Sequence, residues 1–165
     1  MIVKGVIEST LKSLNRRYYS ESIPGDQVYF SKLAILELCG WIEASVDDLA
    51  RRSKKTIRTS VNIEYLEDVI RRNYGFSYDR HFRHLISVGI GVVAFDQIET
   101  KLDPVVLAQF KSQLHALKKA RDVLAHTFVK GQTTTIDAPS TTASRLDPIY
   151  KGLKAFEKEL IAINK

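Results

Sequence analysis

Apolar residues recur at spacings of three and four along most of the chain, which is the period of an amphipathic α-helix. The segments with this pattern are residues 2–19, 27–53, 57–72, 78–100 and 104–129, followed by a last stripe from Ile149 to Ile163. Alternation typical of a β-strand is confined to the short stretch 133–136. The pattern predicts an all-α protein, an up-and-down bundle of about five to six helices. The length of 165 residues favours one domain over residues 1–165.

Turn and capping residues mark the expected boundaries of these helices. Asp26 is a candidate N-cap for the second helix, and Asp103 is one for the fifth. A Gly-, Thr- and Ser-rich stretch without periodicity predicts a mobile loop over about residues 130–145. After it, Ser144 or Asp147 is expected to cap the last helix.

Three glycines interrupt the helical segments and cost helix propensity there. They are Gly40, Gly89 and Gly91. Because a glycine lets another backbone or side chain come near, all three predict close packing between helices.

Composition narrows the class of protein. The chain is 44% hydrophobic and 27% charged, as expected of a globular protein. Its single cysteine, Cys39, lies in an apolar run, which predicts a buried structural thiol, excludes a disulfide framework within the chain and favours a reducing compartment. No apolar stretch is long enough to span a membrane, and the N-terminus lacks a signal-peptide pattern. We therefore expect a cytoplasmic protein without a membrane partner.

Basic residues are in excess, with a formal net charge of +6. Such an excess suits a polyanionic partner such as RNA, although a basic solvated surface needs no partner. A basic rim is expected from the run 51–58 together with Arg71 and Arg72. His81 and His84, flanked by arginines, form either a phosphate-facing cluster or an exposed basic face. Their spacing of three resembles a metal pair, but no third ligand of the right type is near, so no metal is predicted.

One charged residue interrupts the apolar stripe of the fifth helix. The stripe consists of Leu107, Phe110, Leu114, Leu117, Leu124 and Phe128. Arg121 takes the position missing from it, and desolvating a guanidinium is costly unless an acid pairs with it. Glu43, in the second helix, is either a part-buried carboxylate in need of a partner or a solvated residue at the edge of its stripe.

Asp122 and His126 follow Arg121 and have complementary chemistry. Four residues separate them, so they share a helix face, and the carboxylate is able to orient the imidazole. Arg121 and His126 lie about 140° apart around an ideal helix. They flank one ligand only if a second helix closes the site, which favours a groove between two copies. Arginine binds phosphate and histidine transfers protons, a combination that suits RNA cleavage by the ribose 2′-hydroxyl without a metal.

The hexapeptide from Arg121 to His126, RDVLAH, resembles the R-x4-6-H motif of HEPN domains, often written R-N-x-x-A-H. The run from Cys39 to Glu43, CGWIE, resembles a helix of the HEPN branch named with RiboL-PSP. The resemblance covers about residues 28–163. It implies a helical domain that dimerises and pairs its motif helices across the interface. Many members are metal-independent endoribonucleases in toxin–antitoxin, phage-defence or RNA-processing systems.

Applied to this chain, the resemblance gives each motif residue a role. Arg121 would contact the scissile phosphate, and His126 would act as general acid and base. Asp122 stands where the family most often has asparagine, so it would orient His126 but repel phosphate. Glu43 would match the acid that some members place against the motif. No cofactor and no metal are implied.

Two other interpretations use the same residues. The first is a non-catalytic HEPN module that binds RNA or a protein partner, which Asp122 and the basic rim favour. The second is a plain helical interaction or regulatory protein, one partner of a two-component operon such as a toxin and its antitoxin. There Arg121, Asp122 and Glu43 would be a stabilising ion-pair network, and His126 would be favoured by the helix dipole.

Overall fold

A computed structural model describes residues 1–125 and 136–163 of the chain. Every regular element in these two ranges is helical, so the prediction of an all-α bundle is confirmed. None of these helices is long and apolar enough to cross a lipid bilayer. The elements are α1 (Gly5–Ser20), α2 (Pro24–Arg52), a 3-10 turn (Ser53–Thr56), α3 (Ser60–Arg71), a π-helical turn (Tyr78–Phe82), α4 (Arg83–Ile90), α5 (Val92–Lys101), α6 (Pro104–Ala125), α7 (Pro139–Ser144) and α8 (Leu146–Ile163).

Helix α2 lies at the centre and contacts α1, α3, α4, α6, α7 and α8. Leu38, Ile42, Val46 and Leu49 recur at spacings of four and three along it and are fully buried. The helix begins at Pro24, because proline suits a first-turn position where the missing N–H has no acceptor. The predicted N-cap at Asp26 is therefore wrong, since that residue already lies inside the helix.

Aromatic side chains from four elements form one cluster in the core. The ring centroids of Phe82 and Phe156 are 4.7 Å apart, and those of Phe82 and Phe110 are 5.3 Å apart. Tyr78 and Phe95 complete the cluster from the π-helical turn and α5. Such ring pairs add about 0.5–1.5 kcal/mol each beyond the area they bury. They join the π-helical turn to α6 and α8, and this positions the candidate site.

The helix predicted over residues 78–100 is divided in the structure. It begins with the π-helical turn, continues as α4, breaks at Gly91 and resumes as α5. Gly91 has φ of +83°, a left-handed conformation that favours glycine over residues with a side chain. The glycine therefore ends one helix and starts another, and an apolar period shared by both segments does not reveal the break.

Close packing, predicted at three glycines, occurs at one of them. A Cβ on Gly89 would stand 2.0 Å from Ser53 Oγ, so α4 does approach the end of α2 there. At Gly40 and Gly91 nothing lies within 4 Å of that position, and the prediction is wrong for both. The closest approach that the pattern missed is Gly152 of α8 against Phe110.

The prediction of a loop over about residues 130–145 is wrong for its C-terminal part. Pro139–Ser144 forms α7, which contacts α1 and α2 and buries Thr142. Contacts with α1 and α2 offset the weak helix propensity of serine and threonine in this segment. The residues numbered 126–135 lie outside the described part of the chain. Helix α8 begins at Leu146, so both predicted caps are wrong: Asp147 lies inside α8, and Ser144 is the last residue of α7. Asp103 does cap α6, because it accepts the N–H groups of Val105 and Val106 at 2.7 and 3.1 Å.

Candidate active site

Arg121 lies in α6 where its apolar stripe meets α2. Leu117 and Leu124 on either side are buried, and 22% of the Arg121 side chain is exposed. Its Nη1 donates a hydrogen bond of 2.8 Å to Oε1 of Glu43 on α2. Of the two alternatives for Glu43, the structure supports the part-buried carboxylate with a partner, because 38% of its side chain is exposed and it pairs with a residue 78 positions away.

The other edge of the guanidinium faces Asp122. Nε and Nη2 of Arg121 lie 3.4 and 3.3 Å from the same oxygen, Oδ1, of Asp122. Both distances are long for an N–H···O hydrogen bond, which favours about 2.7–3.2 Å. The second oxygen, Oδ2, accepts a short hydrogen bond from Nζ of Lys118. Arg121 thus has one edge held firmly by Glu43 and one edge held loosely by Asp122.

Lys118 and Arg121 change the electrostatics of Asp122. The hydrogen bond from Lys118, and then the interaction with Arg121, hold the pKa of the Asp122 carboxyl below its usual value. With two cations and two carboxylates, the group of Lys118, Arg121, Asp122 and Glu43 is close to neutral. The predictions of a contact between Asp122 and His126, and of the position of His126 relative to Arg121, concern a residue outside the described part of the chain.

The ring of Phe76 packs against the face of the Arg121 guanidinium. The Arg121 Cζ atom lies 5.1 Å from the centroid of the Phe76 ring, within the range of a cation–π interaction. Phe76 is buried, and it stands in the short connection between α3 and the π-helical turn. Arg121 is therefore fixed by a carboxylate and by a ring that come from two other elements. The sequence reasoning missed Phe76, whose only signal is an aromatic residue in a short link between helices.

His81 belongs to the same region, although no pattern linked it to Arg121. It stands in the π-helical turn and is partly exposed. Partial burial lowers the pKa of His81, and the positive charges of Arg80, Arg121 and Lys118, with a smaller effect of His84, lower it further. Gly75 lies against the His81 ring and the next residue, Phe76, lies against the Arg121 guanidinium, so His81 and Arg121 pack on adjacent residues of one link. His84 points to solvent on α4.

Cys39 is a buried thiol close to this group, as the sequence predicts. Desolvation by burial raises its pKa to about 12, and the nearby charge of Arg121 offsets only part of that rise. A thiol with such a pKa is protonated at neutral pH and is a poor nucleophile. Cys39 is a packing residue here. Within residues 1–125 and 136–163, no group of three or more His, Cys, Asp or Glu side chains is arranged to hold a metal ion.

An exposed apolar face of α2 runs up to the Arg121 group. Tyr29, Leu33 and Leu36 lie on it with 57%, 42% and 45% of their surface exposed. At 100° per residue, Glu43 falls on the same face, one turn after the exposed Gly40. We call Tyr29, Leu33, Leu36, Gly40 and Glu43 the α2 face. Its apolar part ends at the carboxylate that holds Arg121.

No family model, no characterised protein and no solved structure matches the chain. The resemblance to HEPN domains thus rests on the motif residues and on their position in the chain, and it stays a prediction. What the structure adds is the contact of two of its residues, Arg121 and Glu43, across α6 and α2.

Proposed function

We propose that the chain is a metal-independent endoribonuclease of the HEPN type. In this proposal Arg121 holds the scissile phosphate and His126 acts as general acid and base. The observation that supports it most is the unequal binding of the Arg121 guanidinium. Glu43 fixes Nη1 at 2.8 Å, while Nε and Nη2 face an exposed carboxylate at 3.3–3.4 Å. The Nε–Nη2 edge is the one that binds two phosphate oxygens when Asp122 moves away.

The chemistry is an internal transfer at phosphorus. The ribose 2′-oxygen loses its proton to a base and bonds to phosphorus, while the bond from phosphorus to the 5′-oxygen breaks and that oxygen receives a proton. The products are a 2′,3′-cyclic phosphate and a 5′-hydroxyl. Arg121 stabilises the negative charge that develops on the phosphoryl oxygens, and His126 transfers protons. Asp122 orients His126 and, when no RNA is bound, occupies the Nε–Nη2 edge of Arg121.

A second copy of the chain is the partner that this proposal requires. The motif geometry needs two helices around one phosphate, and the α2 face offers exposed apolar surface that continues to Glu43. We propose a homodimer that buries Tyr29, Leu33 and Leu36 and brings the two Arg121 groups to one groove. The composite site then contains residues of both copies.

The proposed compartment and biological role rest on the family resemblance and on the composition. An RNA-cleaving enzyme with a net charge of +6 and a single buried thiol suits the cytoplasm, where RNA is abundant and thiols stay reduced. We propose a role in a toxin–antitoxin or phage-defence system. A neutralising antitoxin or other operon partner would then accompany it.

Incubation of a mixed-sequence RNA with the purified protein in EDTA tests the activity directly. We expect cleavage to 2′,3′-cyclic phosphate ends, and a loss of roughly 10²–10⁴-fold in rate for Arg121→Ala and for His126→Ala. His115→Ala is the matched control, because this exposed histidine lies on the same helix. Circular dichroism shows that each variant is folded. Folded wild-type protein that cleaves no RNA, or variants as active as wild type, would refute the proposal.

A non-catalytic RNA-binding module is the second candidate, and the charges at Arg121 favour it. Both edges of the guanidinium face carboxylates, and the group is close to neutral. Such a module binds RNA in a salt-dependent manner without cutting it. RNA binding would then rest on the basic rim, so Arg121→Ala should bind RNA as wild type does, and no cyclic phosphate would form with any variant.

A further inference from the structure

His81 packs on the same short link as Arg121 and has no role in the proposal above. It lies in the π-helical turn, where Phe82 N–H bonds to the carbonyl of Ser77, five residues back. Single π-helical turns of this kind are rare and are found often at functional sites. Tyr78 and Phe82 are buried in the aromatic cluster and fix the turn. The position of His81 is thus set by the core.

Two neighbours orient the imidazole. Nδ1 shares a hydrogen bond of 2.6 Å with Oγ of Ser77, which leaves Nε2 as the free ring nitrogen. A Cβ on Gly75 would stand 2.9 Å from Nε2 and 2.8 Å from Cε1. Any side chain at position 75 would cover this edge of the ring, and the glycine leaves it uncovered. Among the described residues, Nε2 of His81 makes no hydrogen bond.

The same short link joins His81 to Arg121. Gly75 lies under the imidazole, and the next residue, Phe76, lies under the guanidinium with 5.1 Å between Cζ and the ring centroid. Asn73 holds the link by donating from Nδ2 to the carbonyl of Gly75 at 3.1 Å. An imidazole and a guanidinium therefore rest on adjacent residues of one anchored segment.

The charges around His81 favour its neutral form. Arg80 on the turn, Lys118 and Arg121 on α6, and to a smaller extent His84 on α4 all lower its pKa, in addition to partial burial. A neutral imidazole near a phosphate-binding arginine is suited to accept a proton at pH 7. Positive charges on two sides also stabilise the phosphate that brings the hydroxyl.

We propose that His81 is the general base of this site, and this inference rests on the proposed ribonuclease function. Nε2 takes the proton of the ribose 2′-hydroxyl as the 2′-oxygen bonds to phosphorus. The 5′-oxygen leaves with a proton from the general acid of the site, and His81 returns its proton to solvent. His81 thus takes over the base half of the proton transfer described under the proposed function.

Single-turnover cleavage as a function of pH tests this role. We expect His81→Gln to lower the rate by roughly 10²-fold or more. The wild-type rate should fall on the acid side only below the ordinary histidine pKa of about 6.5, and this acid limb should vanish in His81→Gln. Gly75→Ala keeps the histidine but covers Nε2, so we expect a similar loss. His115→Gln is the control, since it removes an exposed histidine of α6.

Binding of a 2′-deoxy oligonucleotide gives a readout that does not depend on activity. We expect the ring resonances of His81 to shift on saturation, and its pKa to rise as the phosphate neutralises the nearby cations. If wild type cleaves RNA, Arg121→Ala does not, and His81→Gln retains a rate within threefold of wild type, the general base is another group and the ribonuclease proposal stands. If wild type cleaves nothing, both proposals are wrong. Unchanged His81 resonances at saturation also refute the role of His81.

Discussion

Replacing Gly152 with alanine tests the contact between α8 and α6, the helix that carries Arg121. The added Cβ would stand 2.3 Å from Cγ of Phe110 and 2.6 Å from its Cβ and Cδ2. Ordinary contacts begin at 3.4 Å, so the shortfall is about 1.1 Å at the nearest atom. Phe110 is fully buried and its ring contacts Phe82 and Phe156. The ring cannot turn away without disturbing the cluster.

Two opposing effects set the size of the change. Overpacking a core costs about 1–3 kcal/mol, and a ring held by other rings favours the upper end of that range. Alanine also gains up to about 1 kcal/mol over glycine in helix propensity. We expect Gly152→Ala to lower the free energy of unfolding by about 2 kcal/mol in net. Gly40→Ala, on α2 with nothing within 4 Å of the new methyl group, should raise it by about 0.5–1 kcal/mol.

Thermal and urea unfolding followed by circular dichroism measures both variants against wild type. A difference of about 3 kcal/mol between them corresponds to roughly 6–12 °C in Tm for a chain of this size. Unfolding is measured at low protein concentration, because Gly40 lies on the α2 face and a change there would also alter the proposed dimer. Equal Tm values for the two variants, or a stabilised Gly152→Ala, would show that Phe110 is not fixed and that α8 does not hold α6 by this contact.

Two more predictions concern acidic residues. Asp122→Asn removes the carboxylate from the Nε–Nη2 edge of Arg121, so RNA binding at low salt should tighten about three- to fivefold by fluorescence anisotropy; unchanged affinity would mean that phosphate does not use this edge. Burial works to raise the pKa of Glu157, but hydrogen bonds led by that of Lys154 outweigh it, and the pKa is lowered below 4.5. Because the pKa of Glu157 is lower in the folded than in the unfolded chain, its ionised form stabilises the fold at pH values above about 4.5. The free energy of unfolding should therefore fall as the pH drops below about 4.5, and Glu157→Gln should lose that part of the pH dependence.

The apolar period of α6 was enough to identify Arg121 as the charged residue in an otherwise apolar stripe. Leu114, Leu117 and Leu124 are buried as the stripe predicts, and Arg121 is part-buried with a carboxylate partner. The cost of burying a guanidinium called for an acidic partner, but helix periodicity did not say which one; Glu43, 78 positions away, was linked to the motif only by the family resemblance. The cytoplasmic, dimeric and catalytic parts of the hypothesis stay predictions.

The contacts made by the connection between α3 and α4 could not be predicted from the sequence. Phe76 lies against Arg121, and His81 packs on the neighbouring Gly75, because the aromatic cluster anchors the π-helical turn against α6 and α8. Nothing in the local pattern encodes that arrangement, since the spacing of Tyr78 and Phe82 suits an ordinary α-helix equally well. The break at Gly91 was missed for a similar reason, because an isolated glycine is tolerated within a helix and only its φ reveals the break.

Asp122 has a consequence for which ligands reach Arg121. Its carboxylate is attached to the neighbouring residue, so it competes for the Nε–Nη2 edge at an effective concentration on the order of millimolar or above, which dilution does not reduce. Under the proposed function, a free phosphate ion or a mononucleotide at micromolar concentration would lose this competition. A polymer held by several cations at once would bring its own high effective concentration and displace the carboxylate. The proposed site would then select polymeric anions over small ones.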